Sequence, residues 1–92
     1  MTRIYKLPPR LDYEATGTLH ESLLASRGEA ITLDAGAVTH LGGLALQLLV
    51  AAREQWRRDG LALRIEPRSR NFSEDVAMLG MVEDFFSEEA AQ

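Results

Sequence analysis

The stretch from Ala30 to Ile65 constrains the fold most, because it reads as strand, helix and strand with only short connections between them. Ala30-Ile31-Thr32-Leu33 is a compact β-branched run ending at Asp34, and Ala35-Gly36-Ala37 behind it has turn character. From Leu41 to Asp59 the apolar spacing becomes helical. Leu41, Leu44, Ala45, Leu48, Leu49, Ala52 and Trp56 share one sector at about 100° per residue. Gly60 ends this helix, and Leu61, Leu63 and Ile65 then alternate with Ala62, Arg64 and Glu66 until Pro67 closes the run. Two strands joined through a helix in so few residues form a βαβ crossover, which favours parallel pairing. Ala30–Leu33 is expected to be a central strand.

The flanks supply the remaining elements. Ile4-Tyr5-Lys6-Leu7 is β-prone and stopped by Pro8-Pro9, which suits an edge strand. Leu11-Asp12-Tyr13 leads into a helix carrying Leu19, Leu23 and Leu24, with Thr16 as candidate cap or Thr18 and Glu21 as a capping box, and with Gly28 as its stop. Pro67 to Asn71 reads as a basic polar loop. Ser73 then caps a helix with Glu74 and Asp75 in its first turn, and Gly80 ends it. Met81 to Phe86 suggests one more helical turn whose aromatics pack on the sheet, and residues 87–92 form a short acidic, frayed end.

The chain has 92 residues, which suffices for a single domain over 1–92 and not for two. Hydrophobic residues at 46% and charged residues at 26% are ordinary globular values. The longest nearly apolar stretch, Leu41 to Ala52, is well short of the roughly twenty residues a membrane span requires, so no membrane insertion is expected. The N-terminus has no secretory pattern, and a cytoplasmic location is expected. A net charge of -4 gives no basic footprint for nucleic acid. The absence of cysteine removes disulfides, thiolate metal sites and cysteine nucleophiles.

The order of elements, with Ile31-Thr32-Leu33-Asp34, then Val38-Thr39-His40-Leu41-Gly42-Gly43-Leu44, then a long helix and Leu61-Ala62-Leu63-Arg64-Ile65, resembles a STAS domain (anti-sigma-factor antagonist family) over nearly the whole chain. Leu-Gly-Gly-Leu in place of the usual Asp-Ser-Ser-Gly-Leu is similar to the stand-alone STAS proteins beside bacterial chemotaxis systems. The resemblance implies an α/β fold, a mixed four-stranded sheet with helices packed against it, and a regulatory loop and helix that dock on a protein partner. Many members carry a phosphorylated Ser or Thr in that loop. Aligning Asp34 without gaps puts Gly42 at the family's Asp and Gly43 at the phosphoacceptor, and glycine has no hydroxyl to modify. The nearest hydroxyl, Thr39, would need a four-residue shift to take that place.

The candidate partner-binding residues are Thr39, His40, Gly42 and Gly43 in the loop, and Leu46, Val50, Arg53 and Arg57 as one stripe of the helix. Leu46 and Val50 lie outside the core sector, which would expose apolar anchors between arginines able to grip carboxylates. The competing reading is that a second layer, such as the Phe85-Phe86 segment, covers Leu46 and Val50. An imidazole at His40 could contact a partner, but a histidine in such a place is more often simply a solvated loop residue. His40 and His20 have no metal-ligand spacing, so no metal and no cofactor are expected. Glu54 with Arg57 and Arg58 reads as a surface ion-pair cluster, and Arg68 and Arg70 as solvated loop residues, with binding of an acidic or phosphorylated partner as the alternative for these two.

No nucleophile, base and oxyanion group stand in recognisable spacing, so a non-enzymatic role is expected. The leading expectation is a protein-binding adaptor in bacterial signal transduction, with a kinase, an anti-sigma factor or a chemotaxis component as partner. The alternatives are a subunit regulating the ATPase of a lipid-trafficking ABC transporter, or a sensor binding a nucleotide or lipid near Gly42-Gly43. Homodimerisation stays open.

Overall fold

The computed structural model describes residues 3–79. Five strands and three helices follow in the order β1 (Arg3–Lys6), β2 (Arg10–Leu11), α1 (Tyr13–Ala25), β3 (Ile31–Ala35), β4 (His40–Leu41), α2 (Gly43–Arg58), β5 (Leu63–Arg68) and α3 (Arg70–Met78). β1, β3 and β5 form one sheet in that order, and β2 and β4 form a second, two-stranded sheet. Every pairing is parallel. The expected mixed four-stranded sheet is therefore corrected to a parallel three-stranded sheet with a separate parallel pair beside it. The reason is the connectivity: each neighbouring strand is reached through a helix, and among the described residues no tight hairpin turns the chain back.

β3 is central, as its β-branched run implied, and register ties Tyr5 to Leu33 and Leu33 to Ile65. The alternation along the strands sorts the two faces of the sheet. Ile31, Leu33, Ala35, Leu63 and Ile65 are buried beneath the helices, whereas Ile4, Lys6, Arg64 and Glu66 on the other face are exposed. β5 runs two residues further than the alternation indicated. It carries Pro67 through a register shift opposite Leu33 and Ala35, where the ladder does not need a proline N–H.

The ends of the helices obey local chemistry. Asp12, rather than Thr16 or Thr18, caps α1: its carboxylate accepts the Ala15 N–H at 3.0 Å. Thr16 lies inside the first turn, and its hydroxyl donates to the Asp12 carbonyl at 2.7 Å. Leu24, expected in the core, is 57% exposed because Thr16, Leu19 and Leu23 already make the buried stripe. Ser69, not Ser73, caps α3. It accepts the Phe72 N–H at 3.0 Å and donates its own proton to the Val38 carbonyl. Between α2 and β5 the chain turns through Gly60 at a φ of 74°, a left-handed geometry that a side chain would strain.

Trp56, 2% exposed, anchors α2 from above the sheet and donates its indole N–H to the Glu29 carbonyl at 2.7 Å. Leu49 from α2, Leu19 from α1, and Phe72 and Val76 from α3 complete one core. Each such side chain, fully buried, stabilises the fold by about 1.5–3 kcal/mol. Among the described residues, no helix is long and apolar enough to cross a membrane. The expected turn at Met81–Phe86 and the acidic residues 87–92 lie outside the described residues.

Candidate functional site

The loop before α2 is fastened to the N-terminal segment. Thr39 and His40 both donate their backbone N–H to the Pro9 carbonyl, at 2.7 and 3.2 Å, and the Thr39 hydroxyl donates to the same oxygen at 3.1 Å. Two residues beyond His40, the Gly42 N–H donates to the Leu11 carbonyl at 3.1 Å. On the other side the Leu41 N–H donates to the Asp75 carboxylate at 2.9 Å, so α3 holds the loop as well. The two-residue strands β2 and β4 are the visible result, and they hold the start of α2 in place. Gly42 is favoured here by proximity, since a Cβ would stand 3.0 Å from the Leu11 carbonyl oxygen, a tight contact. Gly43, by contrast, has nothing within 4 Å of a would-be Cβ.

Thr39, His40 and Gly43 are exposed and Gly42 is half-buried, so the loop residues lie together at one surface. The stripe on α2 requires correction. Leu46 and Arg53 are each 5% exposed, Val50 is half-buried against the core, and only Arg57 is exposed. The inward face of α2 is rotated by roughly sixty degrees toward Leu46 and Arg53 from where an apolar sector alone places it. On this side Leu79, just beyond α3, lines one groove with Leu46 and Val50. Leu44, expected in the core, lies on the side turned outward by this rotation and is 50% exposed.

What α2 presents outward is a different set. Gly43, Leu44, Gln47 and Ala51 are exposed and none of them bears a charge. On the α1 side, Tyr13, Gly17, His20, Leu44 and Leu48 border an open groove of about 420 Å³. Tyr13 is 81% exposed at its end. Sequence spacing missed Tyr13, Leu44 and Gln47, because a leucine on an amphipathic helix is ordinarily core and an aromatic at a helix start carries no motif. The available signal was Gly17, a helical glycine whose missing side chain leaves open space beside α2.

Charge collects at the far end of α2. Arg57 donates from Nε and Nη2 to one Glu54 oxygen, at 3.1 and 2.8 Å. That hydrogen bond holds the Glu54 carboxyl below its ordinary range, and the Arg57, Arg58 and Arg53 charges act in the same direction against a desolvation effect that raises it. Arg68 ends β5 with its Nε donating to the Ile65 carbonyl at 2.8 Å, and so it belongs to the fold rather than to a solvated loop. Among the described residues, no three His, Asp or Glu side chains are grouped so as to hold a metal ion. Searched against models of known families and against curated proteins, the chain matches none.

Proposed function

We propose that this chain is a protein-binding regulatory adaptor of the STAS type, acting in bacterial signal transduction with a kinase, an anti-sigma factor or a chemotaxis component as its partner. The observation that carries the reading is the uncharged, partly apolar outer ridge of α2, Gly43, Leu44 and Gln47, standing beside a firmly held loop and opposite the exposed Tyr13. A surface of this make-up, with an aromatic anchor and no charge at its centre, has the composition of an interface core. The loop supports the same reading through its rigidity: a docking edge tied to Pro9, Leu11 and Asp75 loses little entropy on binding. The position matching the family's phosphoacceptor is Gly43, so regulation of binding by phosphorylation at that residue is not part of the proposal.

The test is site-specific photocrosslinking in cells that carry the natural gene neighbourhood. A crosslinking side chain at Leu44 is expected to capture a signalling kinase, anti-sigma factor or chemotaxis protein, whereas one at Arg64 on the open sheet face should not. Capture only from Arg64, or capture of a transporter ATPase at Leu44, would reject the reading.

A further inference from the structure

The groove between α1 and α2 is part of a longer seam. Tyr13, Thr16, Gly17 and His20 from α1 and Leu44, Gln47 and Leu48 from α2 line it over about 420 Å³. Both helices lead into strands of one parallel sheet and pack on its buried face, so they run side by side in the same direction. Tyr13, Gly17, His20 and Leu24 follow at intervals of four, three and four residues, which sets them in one line about 16 Å long. Leu44, Leu48, Ala51 and Gln55 make the facing line on α2. None of these eight is an acid, a lysine or an arginine. Tyr13, Leu24 and Leu44 are 81%, 57% and 50% exposed, so the fold leaves three large side chains of the seam in water. Gly17 has nothing within 4 Å of a would-be Cβ, which keeps room at the middle for a side chain from outside.

The charges beside this seam have one sign. Glu14 and Glu21 are exposed about 50° further round α1 from Gly17, on the solvent side. Neither makes an ion pair among the described residues. Tyr13–Ala25 contains no Lys or Arg, and neither does Gly43–Ala52. On the outer flank of α2 the first charges are Glu54, held by Arg57, and Arg58, at the far end. An uncharged line three turns long with an acidic border fits an amphipathic helix that has apolar residues on one face and Lys or Arg along its flank. A second copy meeting seam to seam brings the same two glutamates. Residues 80–92 contain Glu83, Asp84, Glu88 and Glu89 and no basic residue, so they offer the border no countercharge either. We infer that the α1–α2 seam seats a basic amphipathic helix of the partner protein, with its apolar face between Tyr13 and Leu44 and its basic side chains toward Glu14 and Glu21. This rests on the adaptor reading and names the chemistry of the partner at that same surface.

Synthetic peptides are the probe. A leucine–lysine peptide with leucines three and four residues apart, titrated into the 15N-labelled full chain, is expected to shift the amides of Gly17, His20, Leu44 and Leu48 saturably. The same peptide with glutamate for every lysine should bind about tenfold more weakly or worse. A peptide of the leucine–lysine composition with its leucines scattered round the helix should not saturate those amides. Glu14→Gln combined with Glu21→Gln, both at exposed positions, should weaken the leucine–lysine peptide about fivefold and flatten its salt dependence. Shifts centred away from the seam, equal binding of the lysine and glutamate peptides, or unchanged affinity in the double variant would overturn the inference. Seam amides that shift with protein concentration alone would assign the seam to a second copy and overturn it as well. Capture of an acidic partner segment from Leu44 would keep the adaptor reading and sink the basic helix, whereas a seam saturated by the lysine peptide with no signalling protein captured from Leu44 would sink the adaptor reading alone.

Discussion

The carboxylate of Asp75 on α3 accepts the backbone N–H of Leu41 on β4 at 2.9 Å, across 34 positions of sequence. Leu41 is 3% exposed, so its N–H depends on the half-buried carboxylate for a partner within the fold. Asp75→Ala should cost about 1–3 kcal/mol, the penalty for a buried donor left unsatisfied. Asp75→Asn keeps an acceptor oxygen and should lose less. Urea unfolding followed by Trp56 fluorescence measures both, and an alanine variant as stable as the parent would remove this contact from the account of the loop.

Adjacent glycines at the start of α2 are predicted to respond with opposite signs. A Cβ at Gly42 meets the Leu11 carbonyl at 3.0 Å, and the Gly42 N–H is bonded to that same oxygen, so neither backbone can retreat cheaply. Gly42→Ala should destabilise by about 1–3 kcal/mol, as overpacking does. Gly43→Ala enters open space at a helical position and should stabilise by about 0.4–1 kcal/mol through the unfolded chain. Urea midpoints that moved in the same direction for both variants would contradict the geometry.

The parts of this fold legible in the sequence are those with a long enough period to read. β3, α2 and β5 emerged from repeated apolar positions, and Gly60 from its place between a helix and a strand. β2 and β4 are two residues each and have no period at all; they exist because Pro9 and Leu11 present carbonyls to the loop. The cap rule alone admits Thr16 and Ser73 as readily as the true caps Asp12 and Ser69, since several hydroxyl and carboxylate side chains near a helix start satisfy it and only tertiary contacts choose among them. The error at Leu46 has the same origin. The inward face of α2 is turned toward Leu46 and Arg53, and apolar spacing alone does not give the rotation of a helix about its axis against its neighbours.

The pairing of Glu54 with Arg57 makes a pH-dependent contribution whose sign is fixed. Because the hydrogen bond from Arg57 lowers the folded-state pKa of Glu54, the stabilisation is present above the ordinary carboxylate range and is lost as pH falls through the lowered folded value. The pair is half-exposed, so salt should weaken it further. Thermal unfolding of the parent and Glu54→Gln should differ at neutral pH and low salt and converge in acid. A difference that grew on acidification would have the wrong sign for this pairing.

Leu44 and Leu46 sit two residues apart and should separate binding from folding. Leu46 is 5% exposed, so Leu46→Asp buries a carboxylate in an apolar site and should unfold much of the population. Leu44 is 50% exposed on the outer ridge, and Leu44→Asp should leave the melting temperature almost unchanged. On the adaptor reading the same Leu44 change places a charge at the centre of the interface and should weaken partner binding by tenfold or more, about 1.4 kcal/mol. Calorimetric scans of both variants, followed by a binding titration of the Leu44 variant against the crosslinked partner, decide the matter. A stable Leu44 variant that binds as tightly as the parent would show that the ridge is not the docking surface.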